Sequence, residues 1–120
     1  MVLIKVADIS NEARPMDIAE TWLDCLLQEF FAQSALEKKE GLPVTPFMDP
    51  DKVSKPGSQV RFIGLVLLPL FEALGDLLPE LNEFIIQPVR FALNYYRYVS
   101  FYLSRSPQRN RYNFHYFAEP

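Results

Sequence analysis

Apolar residues recur along this chain at helical spacing, not at the alternation of a half-buried strand. From Pro15 to about Lys39, residues Ala19, Trp22, Leu23, Leu26, Leu27, Phe30 and Phe31 fall at i, i+3, i+4, i+7, i+8, i+11 and i+12, one apolar stripe along a long helix. Asp17, Glu20, Thr21, Asp24 and Gln28 take the opposite side. Acids in the first turns and Lys38 and Lys39 in the last suit the helix dipole, and Gly41 followed by Pro43 stops the helix. A second long helix is predicted from Ser58 to about Leu78, where Phe62, Ile63, Leu65, Val66, Leu67, Leu68, Leu70 and Phe71 leave almost no polar side. Pro69 removes a backbone donor inside it and should kink it. Pro79 opens a further helix, roughly Glu80 to Ile86, with room to run on beyond Pro88.

The remaining segments are less periodic. Met1 to Ile9 is apolar apart from Lys5 and Asp8, and fits either a buried helix or a strand. Leu42 to Gly57, with Pro43, Pro46, Pro50 and Pro56, reads as a loop. At about 15 residues it exceeds the usual length, as functional lids often do. After Pro88, Phe91, Tyr95, Tyr98 and Tyr102 keep a weak helical spacing, and the chain turns polar and irregular after Ser104. The fold class is all-α. Helices this apolar need neighbours on several sides, so the chain is expected to be part of a larger helical domain.

Composition sharpens this division. The net charge of -3 over 120 residues is a sum of two unlike parts. Residues 1–88 hold 7 Lys and Arg against 14 Asp and Glu, a net of -7; residues 89–120 hold 5 Arg against one acid, Glu119, a net of +4. All 6 tyrosines lie in the second part. Two segments are therefore expected, 1–88 and a basic aromatic tail, 89–120. Interleaved Arg and aromatics fit an anionic membrane surface, but so abrupt a step favours a tail with no such role. The overall acidity argues against nucleic acid as a partner. Phe62 to Phe71 is too short to span a bilayer, which takes ~20 residues, and Met1 to Ala7 does not read as a secretory signal. A soluble, reducing, cytoplasmic setting is expected.

Candidate chemistry is sparse. One cysteine, Cys25, excludes an internal disulfide framework and a four-cysteine zinc site. One histidine, His115, cannot furnish a multi-histidine metal or acid–base centre. Asp8 stands in an apolar run. If buried it needs a cation, a metal or hydrogen-bond donors; otherwise it is a surface or capping aspartate beside Ser10 and Asn11. Gln59 and Phe62 are i and i+3 on one helix face. An amide can match the edge of a nucleobase and a phenyl ring can stack on its plane, though a polar helix start followed by core phenylalanine has the same spelling. Phe47, in Pro46-Phe47-Met48-Asp49, is a pocket wall or a loop anchor.

Several of these stretches together resemble the class I 3′,5′-cyclic nucleotide phosphodiesterases: Asp8-Ile9-Ser10-Asn11, Arg14-Pro15, Trp22 through Phe31, Gly41-Leu42-Pro43, Pro46-Phe47-Met48-Asp49 and Ser58 through Ile63. Glu12 and the run Pro46 to Lys52 are most similar to the ninth, cGMP-specific family. The resemblance covers about residues 1–88. It implies the C-terminal helices of a larger multi-helix catalytic domain that hydrolyses cyclic nucleotides, cGMP or possibly cAMP, with Zn²⁺ and Mg²⁺ (or Mn²⁺) as cofactors. It implies that Asp8 is a metal ligand, that Gln59 hydrogen-bonds the purine and that Phe62 clamps it. It places Leu26, Phe30 and Phe47 along the base pocket and Glu12 near its guanine end. Phe30 departs from the tyrosine typical of the ninth family, and Arg61 from a small residue. The histidine motifs of the family precede this segment, and His115 matches none of them. The isolated chain is therefore expected to be inactive. The alternative is a non-catalytic product that acts through binding, as a homo-oligomer or on a full-length phosphodiesterase.

Overall fold

The computed structural model describes residues 1–105, all helices, turns and loops with no strand among them. Helix α1 spans Val2–Asp8 and is followed by a 3-10 turn, Ser10–Ala13. Helix α2 spans Met16–Glu40. The Pro15 carbonyl accepts from the backbone N–H groups of Ile18 and Ala19 at 3.0 and 2.9 Å and so starts it. Gly41 ends it in the left-handed conformation, φ 70°. The Leu42 N–H then reaches the Glu37 carbonyl at 2.9 Å, so the last carbonyls of α2 find donors before Pro43 redirects the chain.

The next helical run begins three residues earlier than its apolar pattern predicts. Ser54 caps α3, Lys55–Phe62, its hydroxyl accepting from the Gly57 N–H at 3.2 Å. Pro56 lies in the first turn, where its missing N–H has no helical partner to lose. The loop is shorter for it and is broken by a 3-10 turn at Pro46–Met48. α3 passes through a π-helical turn, Ile63–Leu67, directly into α4, Leu68–Leu77. A second π-turn, Asn82–Ile86, leads into α5, Gln87–Arg105.

Both π-turns end two residues before a proline, Pro69 and Pro88. A proline ring inside a helix collides with the carbonyl four residues back. A π-turn opens the spiral by one residue and makes that room. The first also sets a register. Twelve residues separate Gln59 from Phe71, and over that distance a regular helix overshoots three full turns by about 120°. One inserted residue takes back about 100°. Gln59, Ile63, Leu67 and Phe71, all buried, can therefore share one side of a continuous helix.

That side meets α5. Val89, Ala92, Leu93 and Tyr96 form its buried stripe, and with Ile86, Leu74, Leu23, Leu27 and Val6 they complete the core. α5 thus crosses the composition step at Pro88 without a break. Its buried line is not the expected Phe91, Tyr95, Tyr98 and Tyr102, which face outward. Gly75 lets the second π-turn close on α4, because a Cβ there would run into Ile86.

Much of the apolar surface stays open. α1 is a helix rather than a strand, but it buries only Val6; Leu3 and Ile4 are 64% and 73% exposed. Leu65, at 76%, and Val66 point away from the core, so the second long helix is covered on one side only. The radius of gyration is 16.0 Å, against about 13 Å for a compact domain of this length. Exposed apolar area of this extent drives association. In light scattering the purified chain is expected to run above its monomer mass of 13.9 kDa; a monodisperse monomer with a cooperative melt would contradict this. No helix among the described residues is long and apolar enough to cross a membrane. The tail from residue 106 on, with His115, lies outside the described residues.

Candidate functional site

The centre of the site is a buried pair. The 3-10 turn after α1 lifts Glu12 inward and α3 brings Gln59 to it, both 2–3% exposed. Gln59 Nε2 donates to Glu12 Oε1 at 2.6 Å, and Asn11 Nδ2 donates to the same oxygen at 3.1 Å. Burial pushes the Glu12 carboxyl up from its ordinary 4.5, while the donors Gln59 and Asn11 and the nearby Lys55 charge pull the other way. A carboxylate only accepts, so the Gln59 nitrogen must face it. The amide oxygen and the second N–H are left for another partner.

Lys55 fixes this helix end. One turn before Gln59, its Nζ bonds Asp24 Oδ1 at 2.6 Å and lies 3.7 Å from Glu20 Oε1, joining the start of α3 to α2. The α2 stripe divides into two lines. Ala19, Leu23, Leu27 and Ser34 are buried in the molecule. Trp22, Leu26 and Phe30 form a parallel line that is exposed or half-buried. Phe30 meets Phe47 edge to face, with centroids 6.3 Å apart and planes at 66°. Leu26, Phe30 and Phe47 therefore supply an apolar wall open to solvent. Phe62, one turn beyond Gln59, is half-buried and packs against the core.

The loop that carries Phe47 is held electrostatically. Lys38 Nζ bridges Asp49 Oδ1 and Asp51 Oδ2, each at 2.8 Å, and Lys52 adds a weaker contact to Asp49 at 3.8 Å. The Lys38 ammonium lowers the Asp49 carboxyl from its ordinary 3.8, and Asp49 and Asp51 raise Lys38 from 10.5. A lowered acid stabilises the fold above its ordinary value and loses that contribution as the pH falls through its folded value. A raised lysine contributes below its ordinary value and loses it as the pH rises through its folded value. The lock is therefore strongest between the two. Lys38→Met should lower the melting temperature at neutral pH, and the gap to wild type should shrink as the pH falls below 3.8. A gap that does not change with pH would exclude the ion pairs as its cause.

Asp8 is not buried. It ends α1 exposed, and its carboxylate has no hydrogen bond or ion pair. Helical geometry explains this, since Val6 takes the inward position of so short a helix. No group of three or more His, Cys, Asp or Glu that could hold a metal occurs among the described residues. The structure thus joins Glu12 to Gln59 and Phe30 to Phe47, and leaves Asp8 without a fellow donor. Sequence reasoning missed Lys55, Lys38 with Asp49, and Tyr96. Tyr96 is buried on α5, and its hydroxyl is near enough to Glu12 and Gln59 for both to act on its ionisation. Its signal was available in the spacing of Val89, Leu93 and Tyr96.

Comparison with known proteins follows the same segment. Residues 1–88 match the model of the 3′5′-cyclic nucleotide phosphodiesterase family. The chain is 87% identical over 97 residues to the high affinity cGMP-specific 3′,5′-cyclic phosphodiesterase 9A of Drosophila melanogaster, a match covering 81% of this chain and 6% of that protein. A match of 97 residues reaches at least residue 97, so it takes in Tyr96. The human protein of that name is 57% identical over 89 residues, 74% of this chain and 15% of its own length. The cGMP-specific 3′,5′-cGMP phosphodiesterase 3 of Dictyostelium discoideum is 48% identical over 85 residues, 71% of this chain and 18% of its own. The chain therefore spans less than a fifth of each of these relatives. With a family match over most of its length and a buried amide–carboxylate pair inside that match, the chain belongs to the 3′,5′-cyclic nucleotide phosphodiesterase family.

Proposed function

We propose that this chain is the base-binding, C-terminal part of a catalytic domain that hydrolyses 3′,5′-cyclic nucleotides, cGMP foremost. The observation that carries the reading is the buried bond from Gln59 to Glu12. A guanine edge offers an N1–H donor beside an O6 acceptor; an adenine edge offers an N6–H donor beside an N1 acceptor. An amide free to flip reads either edge. An amide whose nitrogen is held by a carboxylate presents its oxygen and its remaining N–H in one order, and so prefers one purine. Leu26, Phe30 and Phe47 bound the apolar side of the base, and Phe62 is the ring nearest Gln59 along the helix.

Phosphate chemistry falls outside these residues. Zn²⁺ with Mg²⁺ or Mn²⁺ would supply the attacking hydroxide and polarise the phosphoryl oxygens. The free carboxylate of Asp8 fits one ligand of such a site, and the described residues provide no second. Hydrolysis by this family segment thus depends on helices that carry the remaining ligands.

A chimera tests the reading. Residues 1–105 replace the matching stretch of the Drosophila relative. The chimera should hydrolyse cGMP, and Gln59→Ala in it should lower kcat/KM roughly tenfold to a hundredfold, the loss of one to two hydrogen bonds to the base. An active chimera indifferent to Gln59→Ala would remove Gln59 from base recognition.

A further inference from the structure

The outward side of α5 differs in kind from the other exposed apolar surface. On α1 and the first π-turn the open residues are aliphatic, Leu3, Ile4, Leu65 and Val66. On α5 they are aromatic: Phe91, Tyr95, Tyr98, Phe101 and Tyr102. Four of these, Phe91, Tyr95, Tyr98 and Tyr102, follow one another at i, i+4, i+7 and i+11 and so fall within an arc of about 60°. That arc lies opposite the buried line of Val89, Ala92, Leu93 and Tyr96. With the buried line seated in the core, the aromatic stripe is fixed at the surface. The Tyr98 and Tyr102 rings stack on it, with centroids 6.3 Å apart and planes at 23°.

Positive charge runs beside the stripe. Helix α5 carries Arg90, Arg97 and Arg105 and no acid. Arg90 and Arg97 stand on one flank, about 80–100° from the edge of the stripe. Arg90 is tied to Glu72 at 2.7 Å, while Arg97 has no ion pair among the described residues. The Arg105 guanidinium lies 4.1 Å from the centre of the Phe101 ring. At the other end Phe91 borders Arg14 and Glu83, whose charges balance. This chemistry limits what can cover the face. A helix packed dry on it would take water from the hydroxyls of Tyr95, Tyr98 and Tyr102, and a second copy of α5 would set arginine against arginine. The headgroup layer of a bilayer takes the rings while their hydroxyls stay wet. Arginines at its edge reach anionic groups with their apolar stems laid along the surface.

We propose that the outward face of α5 is a docking surface for an anionic lipid bilayer. The helix lies in the surface, with the four rings of the stripe in the headgroup layer and Arg97 and Arg105 on its negative groups. No helix among the described residues is long and apolar enough to cross, so the contact is peripheral. The composition step at Pro88, where the family match also ends, then marks the start of a membrane-facing helix built onto the family segment.

Flotation of the whole chain with vesicles tests this, because aggregated protein sinks and only vesicle-bound protein rises. The chain should float with vesicles of phosphatidylcholine and phosphatidylserine and bind phosphatidylcholine alone far more weakly. Arg97→Gln should weaken binding to the anionic vesicles about fivefold, the share of one basic residue at such a surface. Tyr98→Ser with Tyr102→Ser should weaken it roughly tenfold or more. Leu3→Ser with Leu65→Ser, on the aliphatic faces, should leave it unchanged. Should the double tyrosine variant lose its helical circular dichroism, Tyr98→Trp in a Trp22→Phe background replaces it, and its fluorescence should be quenched by brominated lipid. Equal flotation with both vesicles, flotation indifferent to the α5 substitutions, or tryptophan fluorescence blind to brominated lipid overturns the proposal. Flotation with neither vesicle overturns it too, and leaves the face to an acidic protein surface.

Discussion

Purified as the 120-residue chain and supplied with Zn²⁺ and Mg²⁺, this protein should convert no cGMP above a protein-free control. The expected loss relative to a complete catalytic domain is the entire metal contribution to the rate, many orders of magnitude. A catalytic zinc takes three protein ligands and keeps an open position, and two-metal sites demand more. Asp8 is one such ligand at most, and the described residues gather no group of three donors. The sequence contains a single histidine, His115, beyond residue 105. Binding the base, however well, holds a substrate without activating the water that must attack it. Hydrolysis that is abolished by a chelator and by Asp8→Ala would contradict this expectation and would mean that the chain assembles a metal site by other means, such as two copies sharing ligands.

Phe71→Ala should abolish cooperative melting altogether. Phe71 is fully buried, among Leu67, Leu74 and the facing residues of α5. Truncating such a ring costs about 3–5 kcal/mol through lost transfer free energy and the cavity left behind. Complete domains hold about 5–15 kcal/mol in reserve, and a chain with so much uncovered apolar surface sits at the low end. Leu65→Ala, on the exposed side of the same helical run, should change stability by only about 0.5 kcal/mol. Circular dichroism melts of the two variants separate these outcomes. Equal losses would mean that the outer side is covered in solution, by another copy of the chain.

The division of the chain into helices was readable because Ala19, Leu23, Leu27, Ile63, Leu67 and Phe71 sit at spacings that few structures other than helices satisfy. The resemblance in residues 1–88 was equally readable, and it brought Glu12 and Gln59 forward, which the structure joins. What the spacing left open has physical causes. Near-continuous apolar runs do not say which side is inward, so Leu65 and Val66 were indistinguishable from Ile63 and Leu67. The start signal for α3 is a cap, Ser54, four residues before Ser58, where the apolar pattern predicts the helix to begin. The buried line of α5 was masked by larger rings. Phe91, Tyr95, Tyr98 and Tyr102 dominate its hydropathy, yet Val89, Ala92, Leu93 and Tyr96 fit the space against α3. Asp8 could not be placed at all, because short helices bury too few positions for a pattern to emerge.

The π-turn at Ile63–Leu67 makes residue count, rather than residue identity, the sensitive quantity in this stretch. Deleting one residue there, Leu65 for instance, would remove a side chain that contributes almost nothing to the core. It would also return the turn to an ordinary spiral and rotate everything before it by about 100° relative to everything after. Gln59 would swing away from Glu12 while Phe71 stayed seated, and a folded protein would lose its buried amide–carboxylate pair. Substitutions along Ile63–Leu67 are thus graded in their effects, whereas insertions and deletions act like slipping one tooth between meshed gears.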